Sequence, residues 1–257
     1  MKAKDSESVL LLGRDNVESD AWRLQGTSRS VCAISPGNEQ AQAFKGPRDI
    51  LNEDAALLID AGPATLLAVA DAHFGPESSH EVLQRILENG GPIPSTPRGL
   101  RDAVLATRDT ARKLRHGSET TLLIAVLDRE SDEGFGLSFG DSSLVICTSD
   151  GAVRRLNPKT RRYISPCQRS SYGRRYAAEF RFPVEPGCLL LAFTDGVDEC
   201  HYGRPATSIQ EGHIGAQWQA SKGDLTAMTE GLVQLALRGI EGFPGGEDNI
   251  AVVATIA

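Results

Sequence analysis

Short apolar runs closed off by turn-forming residues recur along the chain, and longer stretches of helical spacing are set among them. That alternation predicts a mixed α and β domain. Residues 55–59 (AALLI) and 64–70 (ATLLAVA) flank Asp60-Ala61-Gly62-Pro63 and read as the two strands of a hairpin, the second running directly into Asp71. Residues 77–89 place Val82, Leu83, Ile86 and Leu87 on one helical face, and residues 99–115 do the same with Leu100, Val104, Ala111 and Leu114. NGGPIPSTP between them is a helix break. The runs TTLLIAVLD, GFGLSF and SLVICTS, separated by SDEG and GDS, predict an antiparallel meander, and CLLLAFT adds a strand that ends at Asp195. Residues 223–240 carry Leu225, Met228, Leu232, Leu235 and Ala236 on one stripe, with Ser221 and Asp224 as a candidate capping box. NIAVVATIA reads as a final strand. Strands gathered towards both ends, with a helix pair between them, predict an α+β fold of two packed antiparallel β-sheets with helices outside.

Composition narrows the function classes. The chain has 257 residues, 40% of them hydrophobic and 24% charged, enough for one sizeable core. Residues 26–257 are read as a single domain and residues 1–25 as an N-terminal extension of open order. Lys and Arg number 27 against 34 Asp and Glu, a net charge of -7 that argues against a general polyanion-binding surface. No uncharged stretch exceeds ten residues, far short of a membrane span, and the N-terminus lacks the long apolar core of a secretory signal. Five widely spread cysteines, Cys32, Cys147, Cys167, Cys188 and Cys200, suit reduced buried thiols, and the expected location is cytoplasmic.

The candidate chemistry lies in the acids. Asp54 precedes AALLI, Asp71 follows LLAVA, Asp195 follows LLLAFT and Asp248 precedes NIAVV. Singly, an Asp beside a strand is ordinarily a turn former. Four carboxylates at strand ends can converge, and then they repel one another unless a cation neutralises them. An all-oxygen set without Cys or His favours a hard ion such as Mg2+ or Mn2+.

With these residues in view the chain resembles the metal-dependent serine/threonine protein phosphatases of the 2C type (PPM), in their compact bacterial-like form. The resemblance spans residues 46–257 and rests, in family order, on NEDA (52–55), VADAHFG (69–75), Thr120-Thr121, FGDSS (139–143), FTDGVDE (193–199) and EDNIAVV (247–253). It implies a four-layer α-β-β-α sandwich with a binuclear Mn2+ or Mg2+ centre in a cleft at one end, and a domain at 26–257 that is the catalytic one. By this resemblance Asp71 bridges both ions, Asp195 and Asp248 complete the first site, and Glu53 and Asp54 hold the second directly or through its waters. The backbone carbonyl of Ala72 also binds metal, and Asp141, Asp195 and Glu199 match positions that hold a weaker third ion in some members. His73 falls at the position of the proposed general acid, and Arg48 is the candidate phosphate-gripping arginine. The implied reaction is hydrolysis of phosphoserine or phosphothreonine on protein substrates, by direct attack of a metal-bridging water. A Ser/Thr kinase is the partner that family analogy suggests.

Departures from the family pattern fall at Ala72 and Glu119, which stand where Gly is usual, and at Phe74, which replaces a small residue. A left-handed backbone at Ala72 would cost about 1–3 kcal/mol. These changes support a second reading, a catalytically weak or inactive module that binds a phosphoprotein or kinase in a regulatory role. Residues 151–181 carry nine Lys or Arg against one acid, Glu179, and read either as a solvated hairpin or as a substrate-docking flap. Tyr163, Tyr172, Tyr176 and Phe180 interleave with those charges, but the acidic chain sets nucleic acid well behind phosphoproteins. The string Gly136-Leu137-Ser138-Phe139-Gly140 matches the nucleophile elbow of serine hydrolases, yet the expected strand after it argues against that role. The remaining histidines, His80, His116, His201 and His213, are read as surface or capping groups.

Overall fold

The computed structural model describes residues 6–41, 52–89, 91–111, 117–165 and 177–257. In chain order the first strands are β1 (Glu7–Leu12), β2 (Arg23–Gly26), β3 (Ser30–Ser35), β4 (Asp54–Asp60) and β5 (Ala64–His73). Two helices follow, α1 (Glu77–Glu88) and α2 (Pro97–Ala111), then β6 (Glu119–Thr120), β7 (Leu122–Asp128), β8 (Glu133–Phe139), β9 (Ser143–Cys147), β10 (Val153–Arg155), β11 (Ala178–Pro183) and β12 (Leu189–Phe193). The chain ends with α3 (Asp195–Asp198), α4 (Glu211–Ser221), α5 (Leu225–Arg238) and β13 (Ile250–Ile256).

Two antiparallel sheets face each other. One has the order β1-β4-β5-β7-β8-β11, with β6 on the end of β5, and the other runs β10-β9-β12-β13-β3-β2. Side-chain alternation explains why the central strands read as unbroken apolar runs. In β4, Ala56 and Leu58 enter the core between the sheets while Ala55 and Leu57 turn outward to Val82, Leu83 and Leu100 of α1 and α2. In β12, Leu190 and Ala192 face the other sheet while Leu191 and Phe193 pack with Trp218, Met228 and Leu232 of α4 and α5. Both faces of each sheet are covered, so no polar face is needed and the fold is the four-layer α-β-β-α sandwich expected.

The hairpin 55–70, the first helix after it and the last strand form where the pattern predicts, and so does the second helix as far as Ala111, its expected continuation through Leu114 lying outside the described residues. Two details differ. The run SLVICTS does not continue the meander. The free edge of β8 is taken by β11, and the chain turns at Gly140 (φ 86°) so that β9 joins the second sheet beside β12. All five residues of β9 are buried, a demand that the second sheet and its helices meet. The cap of α5 is Asp224 alone, whose side chain accepts from the Ala227 N–H at 3.1 Å, whereas Ser221 ends α4 and donates to the Trp218 carbonyl. Within residues 1–25, β1 pairs along its whole length with β4, from Glu7 against Asp60 to Leu12 against Ala55. The division at residue 25 falls inside β2. Among the described residues no helix is long and apolar enough to cross a membrane.

Candidate metal-binding cleft

Antiparallel pairing brings the acid-bearing strand ends together. Asp54 opens β4 and sits in register with Asp71 near the end of β5. Asp195 follows the end of β12, and Asp248 precedes β13, its antiparallel partner. A cleft of about 210 Å³ at this end of the sandwich is lined by Glu53, Asp71, Ala72, His73, Phe74, Asp195 and Asp248, together with Ala41, Tyr202 and Glu247. Two larger hollows, of about 410 and 440 Å³, are lined by none of these residues.

Neutral groups of the backbone and side chains orient the acids. Glu53 accepts from the Gly75 N–H at 2.6 Å, and its own N–H donates to Asn249 Oδ1 at 2.9 Å. Asn249 Nδ2 donates in turn to the Pro36 carbonyl at 2.8 Å, so one amide ties β13, β3 and the start of β4. Asp71 is held through its backbone: its N–H donates to Thr121 Oγ1 at 3.0 Å, and its carbonyl accepts from the Thr121 N–H and the Thr120 hydroxyl. Thr194 donates to Asp54 Oδ2 at 2.7 Å and accepts from the Ala251 N–H at 2.9 Å.

Asp195 sits under a heavy electrostatic penalty. Burial first, and then the charges of Asp71, Asp248, Asp141 and Asp198, hold its carboxyl well above the usual carboxylate range. Its Oδ1 is buried with no hydrogen-bond partner among the described residues. Glu199 is also raised, by burial first, with Lys159 opposing. Among the described residues no three His, Cys, Asp or Glu side chains already stand as a compact cage for an ion. The donor set nonetheless fits a hard divalent cation, since it is all oxygen, mutually repelling, and leaves a buried Asp195 oxygen unpaired.

The candidate residues divide by position. Glu53, Asp71, Ala72, His73, Asp195 and Asp248 share the cleft. Asp54 is buried behind it on Thr194, and Asp141 stands off the lining, in the bend after β8, where its charge still reaches Asp195. Arg48, His116 and Cys167 lie outside the described residues. Ala72 sits within β5 opposite Thr120, and the left-handed backbone considered for it falls instead at Phe74, with φ 65°. Ser138 is buried within β8 and the chain proceeds to a strand, so it forms no nucleophile elbow. His213 caps α4 as expected, accepting from the Gln210 N–H, but His80 and His201 are buried. His80 is on α1 and accepts at Nε2 from the Gly13 N–H.

Thr194, Asn249 and Tyr163 are site neighbours that residue-type reasoning passed over, although the first two stand inside the FTDGVDE and EDNIAVV motifs. Tyr163 belongs to the basic segment and meets the His73 ring edge-on, with centroids 5.1 Å apart. Within that segment Arg155 and Lys159 both pair with Asp198, each at 3.0 Å, while Arg161 and Arg162 are exposed.

The sequence matches the model of the stage II sporulation protein E (SpoIIE) family over residues 71–256, well over half of the chain. The chain belongs to the SpoIIE family. A comparison with curated proteins finds no match. Solved structures share the fold. They include the PPM Ser-Thr phosphatase MsPP from Mycobacterium smegmatis in complex with cacodylate, at 20% identity and TM-score 0.62, covering 90% of this chain and 99% of that one. The catalytic domain of the serine threonine protein phosphatase PstP with two manganese ions is 18% identical, TM-score 0.63, covering 92% and 100%. RsbX in complex with magnesium is 12% identical, TM-score 0.60, covering 92% and 100%. The SpoIIE-family chain therefore has the fold of PPM-type serine/threonine phosphatases.

Proposed function

We propose that this protein is a metal-dependent phosphatase that removes phosphate from phosphoserine or phosphothreonine on protein substrates. The observation that carries the reading is the convergence of Glu53, Asp71, Asp195 and Asp248 with His73 on one cleft at the end of the sandwich. Two Mn2+ or Mg2+ ions would be held here, with Asp71 serving both, Asp195 and Asp248 serving the first, and Glu53 and Asp54 serving the second directly or through its waters. Ala72 would contribute its carbonyl, and Asp141 with Asp195 and Glu199 would serve a weaker third ion. When bound, the ion pair supplies an activated water and neutralises charge as the phosphorus–oxygen bond breaks.

The chain's own groups do the rest. Thr194 and Asn249 hold Asp54 and Glu53 at fixed distances from the partner sheet. His73, half-buried at the wall, protonates the leaving serine or threonine oxygen, which as a free alkoxide is a poor leaving group. Its substrates are phosphoproteins made by a Ser/Thr kinase, and the buried free thiols of Cys32, Cys147, Cys188 and Cys200 suit a reducing cytosol.

Hydrolysis of p-nitrophenyl phosphate and of a phosphothreonine peptide, with Mn2+, Mg2+ or EDTA and beside an Asp195→Asn control, tests the proposal. Turnover that needs metal and is lost in Asp195→Asn is expected. Folded protein with no turnover in any metal would point instead to a binding module.

A further inference from the structure

A general acid works only when its ring is aimed, and a catalytic imidazole is usually aimed by a hydrogen bond from its second nitrogen to a carbonyl or carboxylate. Among the described residues nothing serves His73 in that way: its Nδ1 is buried and has no hydrogen-bond partner there. What holds the ring is aromatic contact. Tyr163 meets it edge-on, with centroids 5.1 Å apart and planes at 76°, while Phe74 lies farther off, at 6.4 Å and tilted by 51°. Phe74 is 68% exposed and offers no firm wall.

Tyr163, by contrast, is pinned on both sides. Three residues before it, the Thr160 N–H donates to the Gly140 carbonyl at 2.6 Å, and Thr160 Oγ1 accepts from the Gly140 N–H at 2.8 Å. One residue after it, buried Ile164 exchanges both backbone hydrogen bonds with Thr120 at 2.8 Å. The Thr120 hydroxyl reaches the Asp71 carbonyl at 2.9 Å. The segment that carries the phenol ring is thus tied to the strand that carries Asp71 and His73.

We propose that Tyr163 is a positioning residue whose ring, rather than a hydrogen bond, fixes the orientation of the His73 imidazole for proton donation to the leaving oxygen. The proposal rests on the phosphatase reading above.

The test compares two substrates whose leaving groups differ in their need for an acid. A phosphoserine peptide releases an alkoxide and needs the proton; p-nitrophenyl phosphate releases a stable phenolate and does not. In Mn2+, Tyr163→Ala is expected to lower the ratio of peptide kcat to aryl phosphate kcat by about tenfold or more, part of the 10² to 10⁴-fold that general acids supply. Tyr163→Phe keeps the ring and holds the ratio within about twofold of the parent. Tyr163→Leu fills the volume without a ring and carries the test if Tyr163→Ala does not fold. A general structural loss would lower both rates together and leave the ratio alone, and that result overturns the role. So does a Tyr163→Phe ratio as low as that of Tyr163→Ala. A parent protein inactive on both substrates overturns the phosphatase reading and the orienting role with it, whereas an active parent with unchanged variant ratios overturns only the latter.

Discussion

Thr194, at the end of one sheet, donates its hydroxyl to Asp54 Oδ2, buried behind the cleft in the other sheet, 2.7 Å away. Thr194 Oγ1 also accepts from the Ala251 N–H at 2.9 Å, so one buried hydroxyl joins β12, β13 and β4 where the acids gather. The two sheets could otherwise slide over their apolar faces, because burial has no direction. A directional bond to a charged acceptor sets their spacing at the end where geometry matters for chemistry.

Thr194→Val keeps the shape and removes both bonds. It is expected to cost about 2–3 kcal/mol, since a charged acceptor loses its donor and a buried N–H loses its acceptor. Urea unfolding gives the stability change, and Mn2+ titration is expected to show weaker binding at the same time. A variant as stable as the parent would mean that the sheets are held in place without this bond.

Gly196 follows Asp195 at a point where a Cβ would come within 1.8 Å of the Asn249 carbonyl oxygen. That close approach lets the Asp195 turn sit against Asp248-Asn249, and Asn249 in turn orients Glu53. Gly196→Ala has to push the two strand ends apart, at a cost of about 2–3 kcal/mol typical of overpacking. Metal-dependent turnover is expected to fall with stability; an alanine variant matching the parent in both would remove the close packing from the account.

Phe74 carries a left-handed backbone, φ 65°, on a side chain that is 68% exposed. The fold therefore spends strain there without gaining burial. Phe74→Gly is expected to raise stability by about 0.5–1 kcal/mol, read as a higher melting temperature. A lower melting temperature would show that the ring's contact with His73 outweighs the backbone strain.

His80 gives a pH dependence with a definite sign. Burial pushes its imidazole down to about 4, against the opposing pull of the Asp54 carbonyl. The unfolded chain takes up that proton near 6.5 and the folded protein only near 4, so the unfolded state binds more protons throughout the window. The stability contributed by His80 is full above pH 6.5 and falls as pH drops to 4, by about 3 kcal/mol. His80→Gln removes this term, so its melting temperature is expected to fall less steeply between pH 7 and 4 than that of the parent. Parallel curves would contradict the burial account.

Much of this architecture was legible in particular residues. The hairpin 55–70 announced itself because a four-residue turn separates two apolar runs, and Asp71 and Asp195 because each ends such a run. What hid were elements whose local pattern is weak. In α4, Ile214 and Trp218 are the only large apolar residues turned inward, too few to mark a helical stripe. The crossing of β9 to the second sheet depends on β11 occupying the edge of β8, a contact between distant segments that no local window contains. Thr194 and Asn249 were passed over for a different reason: a neutral side chain that orients a carboxylate has no charge signature of its own. Tyr163 likewise looked like one aromatic among basic residues until its segment was seen pinned to Thr120 and Gly140.

The central claim, that the carboxylates of this cleft hold two divalent ions, is met most directly by anomalous diffraction from crystals grown in Mn2+. The account predicts two strong peaks, with Asp71 between them, Asp195 and Asp248 on one and Glu53 and Asp54 near the other, and loss of the first peak in Asp195→Asn. An empty cleft at millimolar Mn2+, or peaks bound elsewhere on the protein, would contradict it.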